Sequence, residues 1–264
     1  MQLSSHYWFK HNSLASFLTA AVLVTTPYSS IHAGWFSPST SNQTAADQLS
    51  TETVKKALME DPSMVYDALV LYQKEKAEAK KQAVQDYLKT NARKLFYSKA
   101  DGVLGNPTGK VSILFLNDYR CGFCSKARAV VKSVMEENDD VRVVIKQLPI
   151  LGPESKYAAQ AATYAQQKNK FESFDTKLIA QEKPLTTEKI NTALEQSGLK
   201  PVDVTSQSDS LDTVIRENYM YAQNLAVQGT PVIIIANSNL TKVEFIDNVL
   251  DMKAISEKIS EYQT

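Results

Sequence analysis

The sequence is short of the side chains that do most metal and acid–base chemistry. It holds three histidines (His6, His11 and His32), two cysteines (Cys121 and Cys124), and acids and bases in equal number, 29 of each. With no basic excess to displace phosphate counterions, the composition argues against a nucleic-acid partner. All three histidines precede Gly34. If that segment is removed, the remainder can hold no Ser-His-Asp triad, no Cys-His pair, no His-ligated zinc and no histidine general base. What is present, 43% apolar and 22% charged residues over 264 positions, describes a globular chain with room for one large domain or two.

Residues 1–33 have the plan of a secretory signal. Lys10 lies ahead of the apolar run Leu14 to Val24, followed by Pro27 and by Ile31-His32-Ala33 before Gly34. The run is too short to span a bilayer, so cleavage after Ala33 and export are expected; the alternative is an uncleaved N-terminal anchor. Residues 34–50, rich in Ser, Thr, Asn and Gln without a period, are expected to form a flexible leader.

From Thr51 to about Tyr97 the pattern is helical, with a break at Asp61-Pro62. Val65, Leu69 and Tyr72 form one stripe, and Val84, Leu88, Ala92 and Leu95 form another opposite a Lys/Glu-rich face. So narrow a stripe must be covered, either by the downstream domain or by a second copy of the chain. Self-association, as a homodimer through residues 51–97, is the expectation. Gly102, Gly105, Pro107 and Gly109 then predict turns at a domain entrance. Beyond them, Val111–Leu116 and Val141–Leu148 suit buried strands flanking a helix from the Cys121 region to about Asn138. This predicts a parallel pair with a right-handed crossover. Residues 149–228 are mostly helical by pattern, and strands return at Pro231–Ala236 and Val243–Ile246 before a closing helix, so the helical stretch is read as an insertion in one α/β domain. Two independent domains are the less economical reading.

Cys121-Gly122-Phe123-Cys124 falls where the first strand meets its helix. Unpaired N–H groups at a helix start favour a thiolate, and Arg120 stands next to it, so Cys121 is the expected nucleophile. Two intervening residues put Cys124 one turn away, within reach of a mixed disulfide on Cys121, as dithiol–disulfide exchange requires. The same spacing also occurs in half-sites for zinc and in small structural disulfides. Zinc would need two more sulfur or imidazole ligands, available after cleavage only from another molecule. A crosslink closing so short a loop removes little chain entropy. Redox use is therefore preferred, and the cysteine pair itself would serve in place of a separate cofactor. Thr230-Pro231 opens an apolar strand, where proline is tolerated.

Four segments in order, Gly105-Asn106-Pro107 with Lys110-Val111, Asn117 to Cys124, Leu148-Pro149-Ile150-Leu151-Gly152-Pro153-Glu154-Ser155, and Gly229-Thr230-Pro231, resemble the DsbA-like thiol:disulfide oxidoreductases of bacterial envelopes. The likeness covers about residues 102–264, and the helical segment 51–101 resembles the oligomerisation arm of some members, among them the suppressor-of-copper-sensitivity C proteins. The resemblance implies a thioredoxin fold with a helical insertion. It implies Cys121 as the attacking thiol and Cys124 as the resolving one, and a cis Thr230-Pro231 whose loop, with Gly122 and Phe123, holds the substrate backbone. Asp118 and Tyr119 match the motif but are assigned only to closing the strand. Two departures stand out. Gly122-Phe123 replaces the Pro-His of the strongest oxidants, which implies a less oxidising disulfide, and Asn237-Ser238-Asn239 replaces a Gly-containing turn.

The function so implied is periplasmic formation or isomerisation of disulfides in secreted proteins. Its partners would be unfolded or wrongly crosslinked clients and a membrane redox protein that resets the dithiol. The alternatives are an envelope binding protein whose dithiol holds a soft metal such as Cu(I), and a scaffold with an idle disulfide.

Overall fold

The computed structural model describes residues 51–263; the expected signal segment and leader lie outside them. The chain divides between Pro62 and Ser63 into two units. In the first, Thr51–Glu60 forms helix α1, whose Val54, Leu58 and Met59 are exposed. The second begins with α2, Ser63–Tyr97, 35 residues with neither Gly nor Pro to interrupt them.

The remaining elements are β1 (Gly102–Gly105), β2 (Val111–Asn117), α3 (Gly122–Glu137), β3 (Val141–Gln147), five helices α4 (Pro153–Gln167), α5 (Phe171–Ile179), α6 (Thr187–Gln196), α7 (Pro201–Ser206) and α8 (Ser208–Asn224), then β4 (Val232–Asn237), β5 (Val243–Phe245) and α9 (Met252–Tyr262). The strands form one sheet in the order β1-β3-β2-β4-β5. β2 and β3 are parallel across α3, as the strand–helix–strand pattern predicts; the other pairings are antiparallel. Every residue of β2 and β3 is buried, because helices cover both faces.

The period of two sorts the strand residues between those faces. Ile113, Phe115, Val143, Ile145, Ile233 and Ile235 join Ala127 and Val131 of α3, Ala158, Ala161, Ala162 and Ala165 of α4 and Ile255 and Ile259 of α9 in the main core. Leu114, Val144, Ile234 and Ala236 point the other way, onto Leu88, Leu95 and Phe96 of α2. Arg142 ties this helix end down, donating from Nη1 to the Phe96 carbonyl at 2.6 Å, a cation placed where the helix dipole is negative.

Three details differ from the sequence reading. The segment read as turns before Val111 contains β1, which adds an antiparallel edge to β3; only long-range pairing reveals so short a strand with a glycine at each end. The α2 stripe at Leu88, Ala92 and Leu95 is covered by this chain's own sheet, so the final turns of the expected arm belong to the domain core. α7, starting at Pro201, was not anticipated. The turn after β4 does without glycine: Leu240 takes a positive φ of 59°. Side-chain oxygens brace it, Asn237 accepting from Lys242 N–H at 3.0 Å and Asn239 from Thr241 N–H at 3.2 Å.

Candidate active site

Cys121 is the N-cap of α3, with φ −74° and ψ 117°. Its Sγ accepts a hydrogen bond from the Cys124 N–H at 3.3 Å and donates to the Thr230 carbonyl at 3.4 Å. The helix start therefore offers a donor to the sulfur where negative charge would develop, as the position of Cys121 predicts. Neither cysteine is crosslinked in this structure. Cys121 keeps 8% of its surface exposed against 1% for Cys124, so an incoming sulfur meets Cys121 first. Burial pushes the Cys124 thiol up to about 12, with partial relief from the Thr230 hydroxyl and the Asp118 backbone. Cys124 thus holds its proton at neutral pH.

The structure brings the residues singled out from the sequence to one place. Gly122 and Phe123 form the first turn of α3, and Thr230 reaches Cys121 through its carbonyl, with the Thr230–Pro231 bond cis. Lys183–Pro184, unanticipated, is cis as well. A side chain at Gly122 would meet nothing within 4 Å, so no steric demand for glycine exists there. Phe123 is 63% exposed, with the Lys126 ammonium 5.4 Å from its ring centre.

Arg120, expected to favour the Cys121 thiolate, is itself engaged in an ion pair. Its guanidinium pairs with Glu154 at 2.6 Å and donates to the Leu151 carbonyl at 3.1 Å, so its charge is already met by a carboxylate.

Asp118, read only as a strand-closing residue, does more. Its carboxylate is buried and accepts from the N–H groups of Arg120 (2.8 Å), Ile150 (2.8 Å) and Leu151 (3.0 Å) and from the Ser155 hydroxyl (2.7 Å). Its carbonyl accepts from the Cys121 N–H at 3.1 Å. One side chain thus anchors the turn before the cysteines and the loop carrying exposed Ile150 and Leu151. At the next position, Tyr119 Oη donates to Asp175 Oδ1 at 2.8 Å, Arg128 Nη2 pairs with Asp175 Oδ2, and Lys183 donates to the Tyr119 carbonyl at 2.7 Å. Burial, followed by the charge of Asp175, holds the Tyr119 hydroxyl well above its usual range. An acidic residue just past a mostly apolar strand was a usable sign for Asp118. Arg128, Asp175 and Lys183 gave none, since their partners lie far along the chain.

Among the described residues, no group of three or more His, Cys, Asp or Glu is placed to hold a metal, and no helix is long and apolar enough to cross a membrane.

A cysteine pair at a helix start, facing the loop before β4 on a sheet of this order, defines the thioredoxin-fold thiol:disulfide oxidoreductases. The chain belongs to the thioredoxin family, whose profile matches residues 97–255. A thioredoxin-like oxidoreductase from Silicibacter pomeroyi DSS-3 is 25% identical, with a TM-score of 0.57 over 64% of this chain and 95% of its own. A periplasmic thioredoxin-like protein from Salmonella enterica serovar Typhimurium is also 25% identical, with a TM-score of 0.57 over 65% and 95%. Proteus mirabilis ScsC shares the fold at 22% identity, with a TM-score of 0.60 over 80% of this chain and 94% of its own. No curated protein sequence matches this chain.

Proposed function

We propose that the protein is a periplasmic thiol:disulfide oxidoreductase that forms and rearranges disulfides in secreted proteins through Cys121 and Cys124. The observation that carries this reading is the Cys121 sulfur, held between the Cys124 N–H and the Thr230 carbonyl at the accessible end of α3. In the oxidising direction a client thiolate attacks Cys121 Sγ of the Cys121–Cys124 disulfide. The S–S bond breaks, Cys124 leaves and takes up a proton, and a mixed disulfide remains on Cys121. A second client thiolate then attacks the client sulfur, Cys121 leaves as thiolate, and two electrons have passed from client to protein. In rearrangement the Cys121 thiolate opens a wrong client disulfide and is expelled when the right client thiol closes on it, with no net oxidation. The high affinity of Cys124 for its proton keeps it a thiol, and so a weak nucleophile, until a client bound at Cys121 brings it into play.

Clients are unfolded or wrongly crosslinked chains. Their backbone would lie along Thr230-Pro231, with Gly122 leaving room for close approach and Phe123, Ile150 and Leu151 supplying exposed apolar contacts. No cofactor besides the cysteine pair enters this cycle, and a membrane redox partner would reset it. Self-association fits the N-terminal part of α2, where Val65, Leu69 and Tyr72 are each at least half exposed, unlike the covered stripe at its other end. Export by the N-terminal segment would deliver the chain to the periplasm.

Reactivation of scrambled, fully oxidised ribonuclease in a mild redox buffer tests the reading, with Cys121→Ala as control. Recovery that depends on Cys121 is expected. Absence of recovery removes the rearrangement activity, and failure to oxidise reduced ribonuclease as well leaves a dithiol that only binds.

A further inference from the structure

Cys124 is the sulfur that must carry charge away from water. When a client thiolate attacks Cys121 Sγ, the electron pair of the broken S–S bond goes to Cys124, and in the reverse step the Cys124 thiolate attacks the mixed disulfide. Cys124 is 1% exposed. A thiolate at such a position bears the full cost of a buried anion unless a cation stands near it.

One buried cation shares its face of α3. Arg128 follows Cys124 by four positions, the spacing that puts two side chains on one side of a helix, and both are buried there. Long helical side chains lean toward the N-terminus and cover the preceding turn, which for Arg128 is the turn of Cys124. Its guanidinium is pinned on one side only. Nη2 pairs with Asp175, which Tyr119 Oη holds in turn at 2.8 Å, whereas Nη1 is buried with no hydrogen-bond partner among the described residues. A buried donor left unpaired is costly, and an acceptor is its natural complement. Burial works against the charge of Arg128, but Asp175, followed by Tyr119 and Cys124, raises its pKa, so the guanidinium stays charged. Asp118, the other buried carboxylate near this turn, is spent on its four donors.

We propose that Arg128 is a positioning residue for the resolving sulfur: its guanidinium, held against the Cys124 turn by Asp175, compensates the thiolate that forms on Cys124 while the Cys121–Cys124 bond is broken or made. Asp175 both fixes the cation and offsets part of its charge. The inference rests on the exchange cycle proposed above and alters neither its atoms nor its electrons; the Cys124 thiolate still ends by taking up a proton.

The test is reduction of the oxidised full-length protein by dithiothreitol, with free thiols counted in acid-quenched samples. Arg128→Met with Asp175→Asn removes both charges together, which a buried pair tolerates better than loss of one partner. This double variant should be reduced about tenfold more slowly, a barrier higher by about 1.4 kcal/mol. Arg128→Lys keeps the charge and should stay within about threefold of the parent. Asp175→Asn removes the offsetting anion alone and should speed reduction, where loss of a purely structural contact would not. Alkylation of Cys121 by iodoacetamide in a Cys124→Ala background should be the same with and without the double substitution, because no charge then develops at position 124. Unchanged reduction of the double variant, equal slowing by Arg128→Lys, slowing by Asp175→Asn, or an equal effect on Cys121 alkylation would each overturn the proposal. Thermal unfolding shows which variants fold, and either the double variant or Asp175→Asn decides the matter should the other fail to. A parent disulfide that dithiothreitol leaves intact would instead remove the exchange cycle itself, and this proposal with it.

Discussion

The Asp118 carboxylate accepts a hydrogen bond from the Ser155 hydroxyl at 2.7 Å and so joins the turn preceding Cys121 to the first turn of α4. It is also the acceptor for three backbone N–H groups, and the residue is only 1% exposed. Asp118→Ala would leave those N–H groups unsatisfied at about 1–3 kcal/mol each. A loss of about 3 kcal/mol or more in urea denaturation is expected, together with slower exchange, because the Cys121 turn loses its tether. Asp118→Asn, which retains one acceptor oxygen, should lose less than Ala. A denaturation midpoint unchanged in the Ala variant would show that the hub contributes no stability.

Cys124 gives a pH signature in the reduced protein. Burial raises its thiol from about 9 to about 12, so the folded state holds the proton more tightly than the unfolded chain does. The sign follows from linkage: the contribution is fully present below the unfolded pKa and is lost as pH rises from about 9 through about 12. Stability of the reduced protein should therefore fall over that window. Cys124→Ala should flatten the slope, the difference between the two proteins cancelling the alkaline titration of tyrosines. Parallel curves would mean that Cys124 titrates alike in both states.

The sequence reading and the structure agree most closely where adjacent residues decide the outcome. The apolar run Val111 to Leu116, the cysteine pair and the second apolar run place β2, α3 and β3 because a buried strand and a capped helix are local patterns. The period of the α2 stripe says that Leu88, Ala92 and Leu95 are covered, but not by what; that depends on Leu114, Val144 and Ile234, far along the chain. The same holds at the site. The cysteines and Thr230-Pro231 are legible, whereas the work of Asp118 depends on N–H groups more than thirty residues away. The Arg128–Asp175 pair spans 47 positions with no motif at either end.

This division of α2 predicts two different outcomes for two truncations. Deleting residues 51–83 removes the exposed Val65, Leu69 and Tyr72 but spares the turns that cover the sheet. It should yield a folded monomer in sedimentation. Deleting 51–97 also removes Leu88, Leu95 and Phe96, all fully buried. Each is worth about 1.5–3 kcal/mol, against a total domain stability of only about 5–15 kcal/mol. The longer deletion should lose cooperative thermal unfolding. If it melts like the intact chain, the last turns of α2 are not part of the core; if the shorter deletion sediments with the intact chain's mass, residues 51–83 do not mediate assembly.

Lys146 and Asp101 form an ion pair at 2.6 Å with side chains 1% and 2% exposed, supplemented by Asn218 at 3.4 Å and by the Tyr221 ring at 4.8 Å. Desolvation raises the Asp101 pKa, with Lys146 pulling against it. Lys146→Met would strand the carboxylate and Asp101→Asn the ammonium, each at about 3–5 kcal/mol, because breaking a buried pair leaves one charge uncompensated. The double variant should cost less than the sum by about 0.5–3 kcal/mol; strict additivity would show the two charges to be uncoupled. The single variants also differ in their response to acid. Without Lys146 the Asp101 pKa rises further, and a raised folded pKa contributes stability that is present at low pH and lost as pH climbs. The Lys146→Met deficit should therefore shrink as pH falls from neutrality, while that of Asp101→Asn, which has no carboxyl to protonate, should not. Equal pH responses would mean that the stranded carboxylate finds water or another partner in the folded protein.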